Sequence, residues 1–89
     1  MKHNIFTIFD SKAEAYLPVW MVPTVGIAMR EFGNLANNPD SNIGQHPEDY
    51  TLFHLGEWSD TTSTFELFDI KKSLANAIEL VKVTSDREQ

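Results

Sequence analysis

The stretch His46-Pro47-Glu48-Asp49-Tyr50-Thr51-Leu52-Phe53-His54-Leu55-Gly56-Glu57-Trp58 decides how the rest of the chain is read. Proline forces the residue before it into an extended conformation, so His46-Pro47 reads as a turn. Tyr50 to Trp58 is then rich in aromatic and β-favouring side chains and reads as a strand. Strict alternation would place Tyr50, Leu52, His54, Gly56 and Trp58 on one face and Thr51, Phe53, Leu55 and Glu57 on the other.

Working toward the C-terminus, Ser59-Asp60-Thr61-Thr62-Ser63 has turn chemistry, and Thr64 to Phe68 is a second strand paired back in a hairpin. Ser73 is placed to cap a short last helix, with Leu74, Ala77, Ile78 and Val81 at helical spacing. The tail, residues 84–89, is polar and expected to fray.

Working toward the N-terminus, Ser41 to Glu48 is a polar loop, and Asn37-Asn38-Pro39-Asp40 ends a helix. Within that helix Val25, Ala28, Met29, Phe32, Leu35 and Ala36 share one face, and Thr24 is the expected N-cap. Gly26 and Gly33 each cost the helix about 1 kcal/mol against alanine, so packing must hold it. Residues 4–9 (Ile5, Phe6, Ile8 and Phe9 among them) read as a strand apolar on both faces. Ala15 to Val22 is a further extended segment, which Pro18 demotes to an edge or a bulge. The fold class is therefore α+β: a small antiparallel four-stranded sheet from two hairpins, in the order β-β-α-β-β-α, with one main helix on one face. One domain spans 1–89, with an ordered core over about 4–83.

The 89 residues are 42% hydrophobic and 22% charged, which suits a globular domain rather than a disordered chain. A chain this short buries roughly 60–65% of its unfolded surface, so its core is modest. It contains no cysteine, which excludes disulfides and thiolate metal sites. The first apolar run, Ile5 to Phe9, is too short for a secretory leader, and no run approaches the roughly 20 residues that span a membrane. The formal net charge of −6 argues against a general nucleic-acid coat. The cations are Lys2, Lys12, Arg30, Lys71, Lys72, Lys82 and Arg87.

Signals for catalysis are missing. His3, His46 and His54 do not share ligand spacing on one element, so no metal site is expected. His54, on an apolar strand, reads as a hydrogen-bonded, half-buried side chain, and His46 as a residue that fixes the turn. On an extended segment Glu48 and Asp49 would point to opposite sides, which makes them a poor catalytic pair; Asp49 is better placed to accept backbone N–H bonds where the strand begins. No phosphate loop, dinucleotide fingerprint or nucleophile elbow is present. The chain is expected to be neither an enzyme nor a cofactor binder.

The aromatics carry the remaining signal. A four-stranded sheet under one helix leaves its second face open, and some aromatic side chains must then meet water, a partner, or stacked bases. Trp20 and Trp58 are the candidates, and Lys71-Lys72 is an adjacent basic pair. Exposed apolar patches more often mark protein contacts, and the net charge opposes polyanions, so a protein interface ranks above a nucleic-acid platform.

Two motifs resemble a known family. Ile5-Phe6-Thr7-Ile8-Phe9-Asp10-Ser11-Lys12-Ala13 with Tyr16-Leu17-Pro18, and His46-Pro47-Glu48-Asp49-Tyr50-Thr51-Leu52-Phe53 with Leu55-Gly56-Glu57, are similar to the patterns of small non-structural proteins of gokushoviruses. These are single-stranded DNA phages of the Microviridae. The resemblance covers about residues 4–80, with the helix from Val25 to Asn37 between the motifs. It implies a non-capsid protein in the cytoplasm of an infected bacterium. It further implies a DNA-binding role, or a counterpart of the microvirus C-type protein, which switches replication toward single-stranded genome synthesis coupled to packaging. It supplies no catalytic residues.

Two functions follow as expectations. In one, single-stranded DNA or a replication intermediate is bound by Lys12, Arg30, Lys71 and Lys72, with Trp20 or Trp58 stacking. In the other, the protein is an adaptor that docks on the viral initiator or a host replication protein, through the sheet face or the His46–Tyr50 loop, with weak DNA contact or none. His46, Pro47, Glu48, Asp49 and Tyr50 are read as a structural motif, and a homodimer is expected from the small core and the uncovered sheet face.

Overall fold

A computed structural model describes residues 1–82. The expected tail lies outside them. Seven regular elements follow one another: β1 (Lys2–Asp10), β2 (Ala15–Tyr16), β3 (Trp20–Val22), α1 (Val25–Ala36), α2 (Asn42–Gln45), β4 (Tyr50–Ser59) and β5 (Thr64–Asn76). Short 3-10 turns at Pro47–Asp49 and Ala77–Leu80 bracket the β4–β5 hairpin. The sheet is antiparallel throughout in the order β2-β1-β4-β5, and β3 pairs with the same edge of β1 as β2. The α+β class and the single main helix agree with the sequence reading.

Pro18 divides the extended segment expected over residues 15–22 into β2 and β3, which lie in line along one sheet edge. The joint is pinned by Leu17 N–H donating to Ile8 O at 2.8 Å and by Thr7 Oγ1 donating to Leu17 O at 2.7 Å. Proline lacks a ladder donor, so an edge is the place a sheet tolerates it.

Thr24 caps α1 as expected, its Oγ1 accepting from Ile27 N–H at 3.1 Å. The helix lays Ala28, Phe32 and Ala36 on Phe6, Ile8, Tyr50 and Leu52 of the sheet, and Ile43 and Ala77 complete this core. Small and large side chains alternate across that seam, which lets the helix sit close. Burying each large side chain contributes roughly 1.5–3 kcal/mol. Gly44 of α2 permits a close crossing, because a Cβ there would stand 1.8 Å from the Asn38 carbonyl oxygen. Among the described residues no helix is long and apolar enough to cross a membrane.

Two expectations need correction. The last helix forms only as the turn Ala77–Leu80, because β5 continues to Asn76 instead of ending at Phe68. Leu52 pairs with Ala75 and Thr51 with Asn76, so long-range ladder bonds satisfy a backbone that local periodicity assigned to a helix. The cap is Asn76, not Ser73, in a reciprocal box with Glu79.

The second correction concerns the faces of β4. Ile5 and Phe6, neighbours in β1, pair with Gly56 and His54, so Leu55 is an extra residue in the ladder. Such a bulge reverses the alternation beyond it. Tyr50, Leu52 and His54 keep the helix side, whereas Gly56 and Trp58 pass to the other side, joining Thr51 and Phe53. Across from Leu55, residues 68–71 of β5 arch outward between the pairs His54–Lys72 and Gly56–Leu67. Gly56 takes φ +156°, and a Cβ on it would lie 2.3 Å from the Glu66 oxygen. The turn in the ladder therefore requires glycine.

Candidate functional site: the uncovered sheet face

The side of the sheet away from α1 is built in rows from register and alternation. Phe65, Trp58 and His3 form the outermost row, and Leu67, Gly56, Ile5 and Met21 the next. Toward the other end, Phe53 pairs with Thr7, and Thr51 pairs with Phe9 beside Tyr16. The rings touch in two clusters. Trp58 lies 5.6 Å from His3 and 6.4 Å from Phe65, centroid to centroid; Tyr16 lies 4.8 Å from Phe9 and 6.0 Å from Phe53. Gly56, with no side chain, leaves a shallow floor between the clusters. Phe65 is 59% exposed and Leu67 64%, high values for side chains of this size.

Charge is sorted between the two sides. Lys2 stands between Glu57 and Glu66, at 3.5 and 3.4 Å, on the helix side of the sheet beyond α1. Its pKa is raised, first by the hydrogen bond to Glu66, yet so exposed a pair adds little stability. The rows of the uncovered side contain no carboxylate. Asp60, in the turn after β4, is taken up by the N-terminal ammonium at 2.8 Å and by His3 at 3.1 Å. Those two hydrogen bonds, the ammonium's first, hold its carboxyl below the usual range. Lys71 brings a cation to this side, with Nζ 5.6 Å from the Tyr16 ring centroid.

The six residues expected to contact DNA do not gather into one patch. Trp58 lies on the uncovered face. Trp20 lies on the helix side, where its indole N–H donates to Glu31 at 2.9 Å and its ring packs on Phe6, so it joins α1 to the sheet. Lys71 and Lys72 are strand neighbours and diverge: Lys71 reaches Tyr16, whereas Lys72 sits 4.3 Å over Phe68, which meets His54 edge-on. Arg30 is on the outer surface of α1 and shares a shallow cleft with Asn34, Asn37 and Lys82. Lys12 sits in the β1–β2 turn, its backbone N–H donating to the Asp10 carboxylate.

The His46–Tyr50 segment differs from its expectation in one respect. Pro47–Asp49 is a 3-10 turn, not an extended run. In that geometry side chains three apart eclipse. Ligand-capable atoms of His46, Glu48 and Asp49 consequently fall within 4.8 Å of one another instead of diverging. The turn is pinned through its carbonyls, with Asn76 Nδ2 donating to Glu48 O at 3.1 Å and Ser11 N–H to Asp49 O at 2.9 Å. Asp49 thus receives a backbone N–H on its carbonyl rather than on its carboxylate. Tyr50 follows as a buried core residue. Burial pushes its pKa up, and the charge of Asp10, then that of Asp49, pushes it further.

His54 is hydrogen-bonded, as the sequence suggests, and is buried where only half-burial is expected. Its Nε2 lies 3.0 Å from Asn4 Oδ1, and its ring stacks on Phe6 at 4.8 Å. Burial lowers its pKa. Sequence reasoning did not single out His3, Phe65, Phe53 and Tyr16 as companions of Trp58. The alternation in Thr64-Phe65-Glu66-Leu67 marks Phe65 and Leu67 as sharing a face, but which face depends on the bulge at Leu55.

A family model described as Phage ORF5 protein matches residues 3–80. No curated protein and no solved structure matches the chain.

Proposed function

We propose, from the premise that the chain belongs to the phage ORF5 protein family, that it is a non-enzymatic docking protein in single-stranded DNA genome replication and packaging. On this reading it works in the cytoplasm of an infected bacterium, is absent from the virion, and serves a phage of the gokushovirus type, as the two sequence motifs suggest. Its uncovered sheet face engages a protein of the replication complex, either the viral initiator or a host replication protein. The observation that carries this reading is the aromatic face itself. Phe65, Leu67, Trp58, Met21 and Tyr16 present apolar surface in two ring clusters on one side of the sheet, with Lys71 beside Tyr16, while the other candidate cations lie elsewhere. Large apolar surfaces of this kind mark protein contacts.

A second reading, direct contact with single-stranded DNA, is favoured by the missing carboxylates in these rows and by the Lys71–Tyr16 pair, which together suit stacked bases. One set of measurements separates the two. In a Trp20→Phe background, Trp58 fluorescence is titrated with oligo-dT over a salt series and, separately, with purified viral initiator. Docking predicts saturable binding to the initiator that Phe65→Asp abolishes, with no response to oligo-dT even at low salt. Quenching by oligo-dT that weakens steeply with salt and disappears in Lys71→Glu establishes the DNA reading instead. The same face also suits a second copy of the chain, and a monomeric mass by light scattering at high micromolar concentration would exclude the homodimer.

A further inference from the structure

The turn that opens β4 has a property that the docking function leaves unused. His46 and Asp49 stand one 3-10 turn apart, and Glu48, a longer side chain, reaches the same point; their ligand atoms all lie within 4.8 Å. One imidazole nitrogen and two carboxylate oxygens are the donor types of mixed nitrogen–oxygen metal sites, and three protein ligands leave positions open for water. Nothing among the described residues competes for these groups: the three side chains make no hydrogen bond or ion pair there. The backbone beneath them is fixed from two sides, by Ser11 after β1 and by Asn76 at the end of β5.

We propose that His46, Glu48 and Asp49 bind a divalent transition cation of the Mn²⁺ or Zn²⁺ kind, coordinated on the outside of the turn. A separate observation concerns the charge of this corner. Asp10, the last residue of β1, pairs in register with Tyr50 and so brings another acidic residue to this corner. No cation pairs with Asp10, Glu48 or Asp49 among the described residues. A bound divalent ion would offset this concentration of negative charge. It would also tie the turn to the ends of β1 and β5 that hold its carbonyls, so binding stabilises the fold as well as the loop.

The test uses the full chain freed of metal by EDTA and dialysis. Mn²⁺ is titrated while the free-ion EPR signal and the broadening of backbone amide resonances are followed; Zn²⁺ is titrated by calorimetry. One saturable site is expected, with broadening centred on Ser11, His46 to Tyr50 and Asn76, and with a rise in Tm of several degrees at saturation. His46→Ala and the double variant Glu48→Gln/Asp49→Asn are each expected to weaken binding at least tenfold. Their amide spectra elsewhere should be unchanged, because among the described residues the substituted side chains make no hydrogen bond or ion pair. Glu48→Gln alone, at an exposed position, repeats the test should the double variant fail to fold. Broadening centred on Asp60 or Glu66, binding unaffected by these substitutions, or no saturation by millimolar ion would overturn the site.

Discussion

The two faces of the sheet both carry apolar side chains and meet different ends. Under α1, Phe6, Phe32 and Leu52 are fully buried, and Ala28, Ala36 and Ala77 fill the spaces between them. On the other side, Phe65, Leu67 and Tyr16 remain about half exposed or more, although they too form rows of interlocking rings. A hydrophobic residue stabilises by what it removes from water, not by what it is. The first face therefore holds the fold together, and the second keeps apolar surface in water.

The largest test of this contrast is Phe32→Ala. It removes a fully buried ring and is expected to cost about 3–5 kcal/mol in urea unfolding, enough to leave so small a domain partly unfolded. The same change at Phe65 should cost less than about 1 kcal/mol while abolishing partner binding. Equal losses at the two positions would mean that the open face is closed in solution, by a second copy or otherwise.

Gly56→Val attacks the device that separates the faces. Backbone at φ +156° and a Cβ forced against the Glu66 carbonyl predict a loss of about 2–3 kcal/mol. Amide exchange should rise first around the bulge and spare α1. A uniform loss of protection would show that the two halves of the hairpin do not separate.

A smaller effect concerns His54, which lies on the covered side. Its pKa is lowered in the folded state, so the unfolded chain binds the proton more readily. Its contribution is complete above the unfolded value of about 6.5 and is lost as pH falls from there through the folded value. Unfolding measured at pH 7.5 and 5.5 should show a decline that His54→Gln reduces. The smallest expected change is Lys71→Glu: stability should shift by less than about 0.5 kcal/mol, since an exposed cation near one ring contributes little.

How far the sequence could be read follows from which forces are local. Thr24 with the stripe Val25, Ala28, Phe32 and Ala36 announces α1, because capping and helical spacing are decided within a few residues. Pro18 announces an edge for the same reason. The length of β5 was hidden because Leu74, Ala77 and Ile78 suit a helix equally well, and only Leu52 and Thr51, more than twenty positions away, decide otherwise. The candidate face was legible in kind but not in membership. Trp58 was recognised, yet alternation through Leu55 placed it beside Tyr50, and one extra residue moved it across the sheet. The close approach of His46, Glu48 and Asp49 is missed when Glu48 and Asp49 are read as extended backbone, although Pro47, favoured at the start of a helical turn, points the other way.

The two borders of the sheet bear on how the molecule behaves in a crowd. One border is cut into short lengths by Pro18, and the other is thrown out of line where residues 68–71 arch away carrying Asp69 and Lys71. Neither offers a straight run of free backbone on which copy after copy could add. Strand-on-strand growth is thus obstructed at both borders, and the apolar surface that stays in water points at right angles to them.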